Sequence, residues 1–258
     1  MQILIMWLKR AYIISCQKTG RKLKYTSSLI FYGRFYMLRT MVFIDYQNFN
    51  INLQNHFKNN GGKVRSINYQ ELAKTINSKL PLKSQVIKTY LFAYKPCDQL
   101  MKLEKYSKYY DWLQKVKVTP YFEVIEGRQE LRNIKGVKLD INDPKTYTTE
   151  EKETDINLAT HMLAKGFQNA YDIAILVSGD TDYIKVVETL HNIGKTVVIA
   201  HFKHQTIEKY NGIIDAHIVL YDSILNKSYN HQKDKTKHNK ENISQEEITE
   251  EQNQESEQ

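Results

Sequence analysis

The chain has 258 residues, 41% of them hydrophobic, and a formal net charge of +8. That length allows one large domain or two small ones, with enough apolar residues for a core. Two cysteines, Cys16 and Cys97, exclude a disulfide framework and a cysteine metal site, and no apolar run reaches the roughly 18 residues that would cross a bilayer.

The cysteine usage fits a reducing compartment, so a cytoplasmic location is expected. The charge is uneven along the chain. Residues 1–36 hold Lys9, Arg10, Lys18, Arg21, Lys22, Lys24 and Arg34 and no acid, which supplies +7 of the total. From Lys227 onward the net is −3, which leaves +4 for residues 37–226. So mild an excess says little about a nucleic-acid partner.

Residues 1–36 begin with a short apolar run, Met1 to Leu8, but Lys9 and Arg10 follow it. A signal peptide would place them before it. The rest of the segment has no helical or strand period. It reads as a disordered leader or a gene-model extension, with Met37 or Met41 as alternative starts. The other reading is a basic arm that touches nucleic acid or membrane.

Met41-Val42-Phe43-Ile44-Asp45 is an apolar strand that ends in a carboxylate. Phe49, Leu53 and Phe57 then recur four apart and predict a helix. Asp45 taken alone is as much a helix N-cap as a functional group. Asn68 to Leu80 is the next helix, with Asn68 as cap and Pro81 as stop. Gln85 to Tyr94 is rich in β-formers and predicts strand two. Asp98 to Val116 predicts one long amphipathic helix. Its lysines beside tyrosines could meet a nucleic-acid backbone, but a solvated face is the commoner explanation.

Val118 to Ile125 predicts strand three, with Pro120 placing it at an edge or delaying its start. Residues 126–150 read as a loop or a hairpin, with Asp140 and Asp143 as turn formers. Thr154 and Asp155 open a helix striped by Ile156, Ala159, Leu163 and Phe167, with Thr154 as its cap. Asp155 lies at i−3, i−4 and i−7 from Leu158, Ala159 and Met162, which turns it toward the core side, where a carboxylate needs a partner.

Asp172 to Val177 is a continuous apolar run, as expected of a buried parallel strand. Ser178-Gly179-Asp180-Thr181-Asp182 turns the chain at its carboxyl end, where α/β sheets bind ligands. Two carboxylates in that turn suggest a divalent metal. A helix over Tyr183–Asn192 ends at Gly194, Lys195 to Phe202 is strand five, and a last strand lies near His217–Leu220. From Lys227 the chain is polar and should be disordered as far as residue 258. The domain expected between leader and tail is therefore 37–226. It is an α/β domain: helices on both faces of a mostly parallel sheet of about five to six strands, in a Rossmann-like three-layer α/β/α arrangement.

Four motifs in this order resemble a known family. Phe43-Ile44-Asp45-Tyr46-Gln47-Asn48 looks like its first-strand motif. Lys152 to Ala159 is similar to its K-x-x-D helix, Ser178 to Tyr183 to its S-G-D-x-D-aromatic turn, and Gly194 to Val197 to its entry into strand five. This is the NYN domain family, LabA-like branch, of the PIN-like ribonuclease superfamily. The resemblance covers about residues 41–222. It implies a PIN-like fold and metal-dependent cleavage of RNA. Asp45, Asp155, Asp180 and Asp182 would form the acidic, metal-holding cluster, with Mg²⁺ or Mn²⁺ as the hard cation that carboxylates prefer. Asn48 and Ser178 would face substrate. One departure is His161, where many relatives carry an Asp; six residues from Asp155, it reads as a surface histidine. RNA is the expected partner, with a homodimer or other protein partner left open. The runner-up is a weakly active or inactive RNA- or protein-binding module that keeps the fold.

Overall fold

The computed structural model describes residues 37–60 and 65–230. The expected leader 1–36 and the polar segment 231–258 lie outside the described residues. The described chain runs past the expected end at 226: Tyr229 is buried and bridges Ile67, so residues 227–230 belong to the ordered domain.

The sheet grows from the two apolar runs that the sequence marks most clearly. β1 is Leu38–Asp45 and β5 is Ile173–Val177. Around them lie β2 (Ser84–Lys95), β3 (Phe122–Asn133), β4 (Tyr147–Lys152), β6 (Thr196–His201) and β7 (Ala216–Val219). The order across the sheet is β4-β3-β2-β1-β5-β6-β7, and every pairing is parallel except β3 with β4. The seven strands among the described residues exceed the expected five to six. The extra one is β4, the second arm of a hairpin in the 126–150 region. It is polar (Tyr-Thr-Thr-Glu-Glu-Lys), and Glu150 meets Arg132 and Lys152 in ion pairs on its surface. Charge on an edge strand is a common guard against further pairing, and it hides the strand from a hydrophobicity reading. Asp140 and Asp143 act as turn formers in this hairpin, accepting from the backbone of Asn142 and Lys145.

Among the described residues, six helices cover the two faces: α1 (Tyr46–Asn60), α2 (Tyr69–Asn77), α3 (Glu104–Lys117), α4 (Thr154–Phe167), α5 (Ile184–Asn192) and α6 (Asp222–Leu225). Strand alternation sorts the core into two layers. Val42, Ile44, Ile173, Ile175 and Val177 face α1, α2, α3 and α6. Met41, Phe43, Ala174 and Leu176 face α4 and α5. Both faces of β1 and β5 are therefore buried, which is why these strands read as unbroken apolar runs. Each fully buried Ile, Leu or Phe among them contributes about 1.5–3 kcal/mol relative to exposure. Among the described residues, no helix is long and apolar enough to cross a membrane.

Local chemistry agrees with several sequence expectations and corrects others. Asn68 caps α2, its side chain accepting from the backbone of Gln70 and Glu71. Gly194 ends α5 with φ at +79°, a conformation that suits glycine. The expected long helix from Asp98 is broken: a 3₁₀ turn over Leu100–Lys102 is followed by Leu103 in extended conformation, and only then α3. Strand three starts at Phe122, not Val118, because Pro120 has no N–H for the ladder. Thr154 does not cap α4. It is the first helical residue, preceded by Glu153 at φ 73° with no side-chain cap. Arg39 grips Asp172 through its backbone N–H and guanidinium, and this pair ties β1 to β5. It also holds the Asp172 carboxyl below its usual range.

Candidate active site

The β1–β5 register sets Ile44 opposite Val177, so the chain leaves both strands at one edge. Asp45 leaves one of them and Ser178 the other. Asp45 is 4% exposed. One of its oxygens, Oδ1, accepts from the Asn48 backbone N–H at 3.0 Å and so caps α1. The other, Oδ2, accepts from Ser178 Oγ and lies against the Tyr183 hydroxyl, each at 3.2 Å. Asp45 is thus cap and site residue together. Burial pushes its carboxyl up to about 6, against the lowering effect of the Asn48 N–H and with a further upward push from the charge of Asp155.

Asp155 stands in the first turn of α4 and accepts from the Tyr183 hydroxyl at 2.7 Å. One hydroxyl proton faces two carboxylates. It goes to the nearer one, Asp155, and below about pH 6 a proton on Asp45 completes the contact by donating to the phenol oxygen. The raised Asp45 pKa agrees with that arrangement. Burial and the two carboxylates keep Tyr183 itself un-ionised.

The sequence reading missed Glu151. It lies on β4 opposite Gln129, four residues before Asp155. Both of its carboxylate oxygens are buried without a hydrogen-bond partner. Burial pushes Glu151 up to about 7. The nearby Thr154 hydroxyl opposes this, although it makes no bond of ordinary geometry, and the charges of Asp45 and Asp155 add to it. Alternation along a strand would have separated Glu150 and Glu151 onto opposite faces, but only once β4 was recognised as a strand. Gly127 makes the junction possible. A Cβ there would lie 2.4 Å from Thr154 Oγ1 and 2.5 Å from the Lys152 carbonyl, so glycine lets β3 press against the segment that carries Glu151 and Asp155.

Asp180 and Asp182 lie in the turn after β5. The Asp180 backbone N–H donates to Ser178 Oγ at 3.2 Å, so one serine hydroxyl serves both Asp180 and Asp45. Asp180 Oδ1 accepts from the Asp182 N–H at 3.1 Å, and its carbonyl accepts from the Tyr210 hydroxyl. Asp182 is exposed. The charges of Asp180 and Asp182 act on Tyr210, whereas those of Asp45 and Asp155 act on Tyr183 and Glu151. The four expected acids therefore fall into two adjoining groups. Among the described residues, no set of three or more His, Cys, Asp and Glu side chains is spaced as an assembled metal site.

Asn48 and Ser178 are both engaged inside the site. Asn48 Oδ1 accepts from Gln205 Nε2 at 2.9 Å and from the Gly179 N–H at 3.5 Å. A Cβ on Gly179 would meet Gln205 Nε2 at 2.6 Å, so that glycine admits the brace between α1 and the turn. His161 is half-buried, where a surface histidine was expected. Its Nδ1 bonds the Asn157 carbonyl at 2.8 Å, and its ring packs edge-on to Phe92 with centroids 5.6 Å apart.

No curated protein matches the chain. A solved structure of a protein of unknown function from Vibrio parahaemolyticus RIMD 2210633 is similar at 15% identity and TM-score 0.46, over 75% of this chain and 97% of that one. The family model for the NYN domain matches residues 39–215, a span that contains β1, the Asp155 helix and the Ser178–Asp182 turn, and the chain belongs to the NYN domain family.

Proposed function

We propose that this chain is a metal-dependent ribonuclease of the LabA-like branch, hydrolysing RNA phosphodiester bonds at the carboxyl edge of its sheet. The NYN domain is a PIN-like nuclease family, which supports the reaction class. The observation that carries the reading is the pair of buried carboxylates, Asp45 and Glu151, both pushed toward neutral pH beside a third, Asp155. A buried carboxylate with no donor is costly, and three together repel. A hard divalent cation is the partner that carboxylate oxygens take, and it would have to draw these three together, since they are not spaced as an assembled site without it.

Asp45, Asp155 and Glu151 would hold Mg²⁺ or Mn²⁺, with Asp180 and Asp182 in the adjoining group. Such an ion, when bound, supplies Lewis-acid polarisation of the phosphodiester and an acidified water. Ser178 and Tyr183 hold the carboxylates in place. The partial burial of the edge limits water around the charges and strengthens their electrostatics.

The test is cleavage of a mixed RNA pool by the full chain with Mg²⁺, Mn²⁺ or EDTA, with product ends mapped. Cleavage is expected with either metal and is expected to be lost in EDTA. RNA retained on the protein without cleavage under either metal would identify a binding module instead.

A further inference from the structure

Beside the acidic edge lies a cavity of about 290 Å³. Tyr46, Tyr69 and Trp112 wall it with aromatic rings, Asn50 and Ser66 give it polar groups, and Arg65 stands at its rim. The rings are tightly associated: Tyr46 and Trp112 have centroids 5.3 Å apart, and Trp112 and Tyr69 6.1 Å. Tyr46 is the residue after Asp45, so the cavity begins one residue from the reacting edge. The aromatic run also reaches Glu151. Tyr46 packs on Tyr109 at 5.6 Å, Tyr109 stacks on Tyr94 at 4.9 Å, and both Tyr94 and Tyr109 feel the Glu151 charge.

Aromatic walls stack bases without regard to sequence, and amide and hydroxyl groups meet base edges. Arg65 is exposed and, among the described residues, forms no ion pair. Its guanidinium lies 5.4 Å from the Tyr229 ring centroid, at the rim where a phosphate flanking the base would pass. We propose that this cavity is a nucleobase subsite, which takes one unstacked base of a single-stranded RNA and sets the neighbouring phosphodiester at Asp45. The inference rests on the ribonuclease reading for its substrate, but binding in the cavity does not need cleavage.

Trp112 reports on it directly. The chain has two tryptophans, Trp7 and Trp112, so Trp7→Phe leaves Trp112 as the sole indole. The full chain with that change is titrated in EDTA with AMP, GMP, CMP and UMP, and with ribose 5-phosphate as a base-free control. The nucleotides are expected to quench Trp112 emission, and ribose 5-phosphate is not. Ser66→Phe, which adds a ring at the exposed lip, is expected to weaken nucleotide binding about tenfold, within the range for loss of one stacked base. Asn50→Ala serves the same purpose if the bulkier variant does not fold. Equal quenching by ribose 5-phosphate, no quenching at all, or unchanged titrations in the lip and Asn50 variants would each overturn the subsite. RNA cleavage without nucleotide quenching removes the subsite and leaves the ribonuclease. Quenching without cleavage under any metal removes the ribonuclease and leaves the subsite.

Discussion

Asp45→Asn is expected to reduce metal-dependent RNA cleavage on the order of 10³-fold, the upper range for losing one preorganised electrostatic group at a reacting centre. The same change should leave the fold intact and make the metal-free protein more stable. Asn and Asp are equally good N-caps, so the bond from the Asn48 N–H survives. The Ser178 hydroxyl, which donates to Asp45, can turn to accept from the new amide, and the Tyr183 oxygen, whose proton goes to Asp155, can accept from it too. What disappears is a buried charge. Its folded pKa of about 6 lies above its ordinary 3.8, so protonation favours the folded state. The destabilisation is absent below pH 3.8, grows as pH rises to 6, and is complete above that. At pH 7.5 in EDTA the variant should gain about 1–3 kcal/mol, or several degrees in melting temperature. With Mn²⁺ the order should reverse, because only the wild type gains binding energy from the ion. If Asp45 were a cap and nothing more, neither the activity loss nor the reversal would occur. Calorimetry with and without Mn²⁺, beside the cleavage assay, decides between the two.

Glu151→Gln carries the second large effect, and it tests a residue that no motif announces. The carboxyl is pushed up to about 7 from an ordinary 4.5. Here too the folded pKa is the higher one. Wild type and variant should be equally stable near pH 4, diverge as pH rises from 4.5 to 7, and differ by about 2–3 kcal/mol above that in EDTA, in the variant's favour. Other groups titrate in this range with the opposite sign. Burial lowers the pKa of His201, so the protein loses stability as pH falls below 6.5. The difference between wild type and variant cancels that contribution, since both share it. Metal affinity, read by isothermal titration with Mn²⁺, should fall about 10–100-fold, the range for groups that set a metal site. A pH-independent stability difference would mean that Glu151 is solvated and stands apart from Asp45 and Asp155.

Much of this site is legible along the chain because its parts are local. Asp45 follows an apolar strand, Asp155 opens an amphipathic helix, and Asp180 and Asp182 sit in a small-residue turn. Each is a short pattern with its own physical reason. The layer order follows as well, since runs such as Ile173–Val177 can be apolar throughout only if both faces are covered. Other features resist such a reading. β4 is polar because it is an edge strand, and the burial of Glu151 depends on β3 lying against Lys152–Thr154 at Gly127. Gln205, which braces Asn48 across 157 positions, has no local signature at all.

The sequence by itself determined the α/β class, the strands β1 and β5, and the carboxylates at their ends, because periodicity and turn chemistry act over a few residues. Tertiary structure alone decided which of those carboxylates meet. Asp45 and Ser178 are 133 residues apart, and the parallel register of β1 on β5 brings them within a hydrogen bond. The same packing sets Tyr183 between Asp45 and Asp155, leaves Asp182 in solvent, and buries Glu151 without a donor. Burial and pairing are properties of the assembled sheet edge, and they determine which acids are raised toward neutral pH.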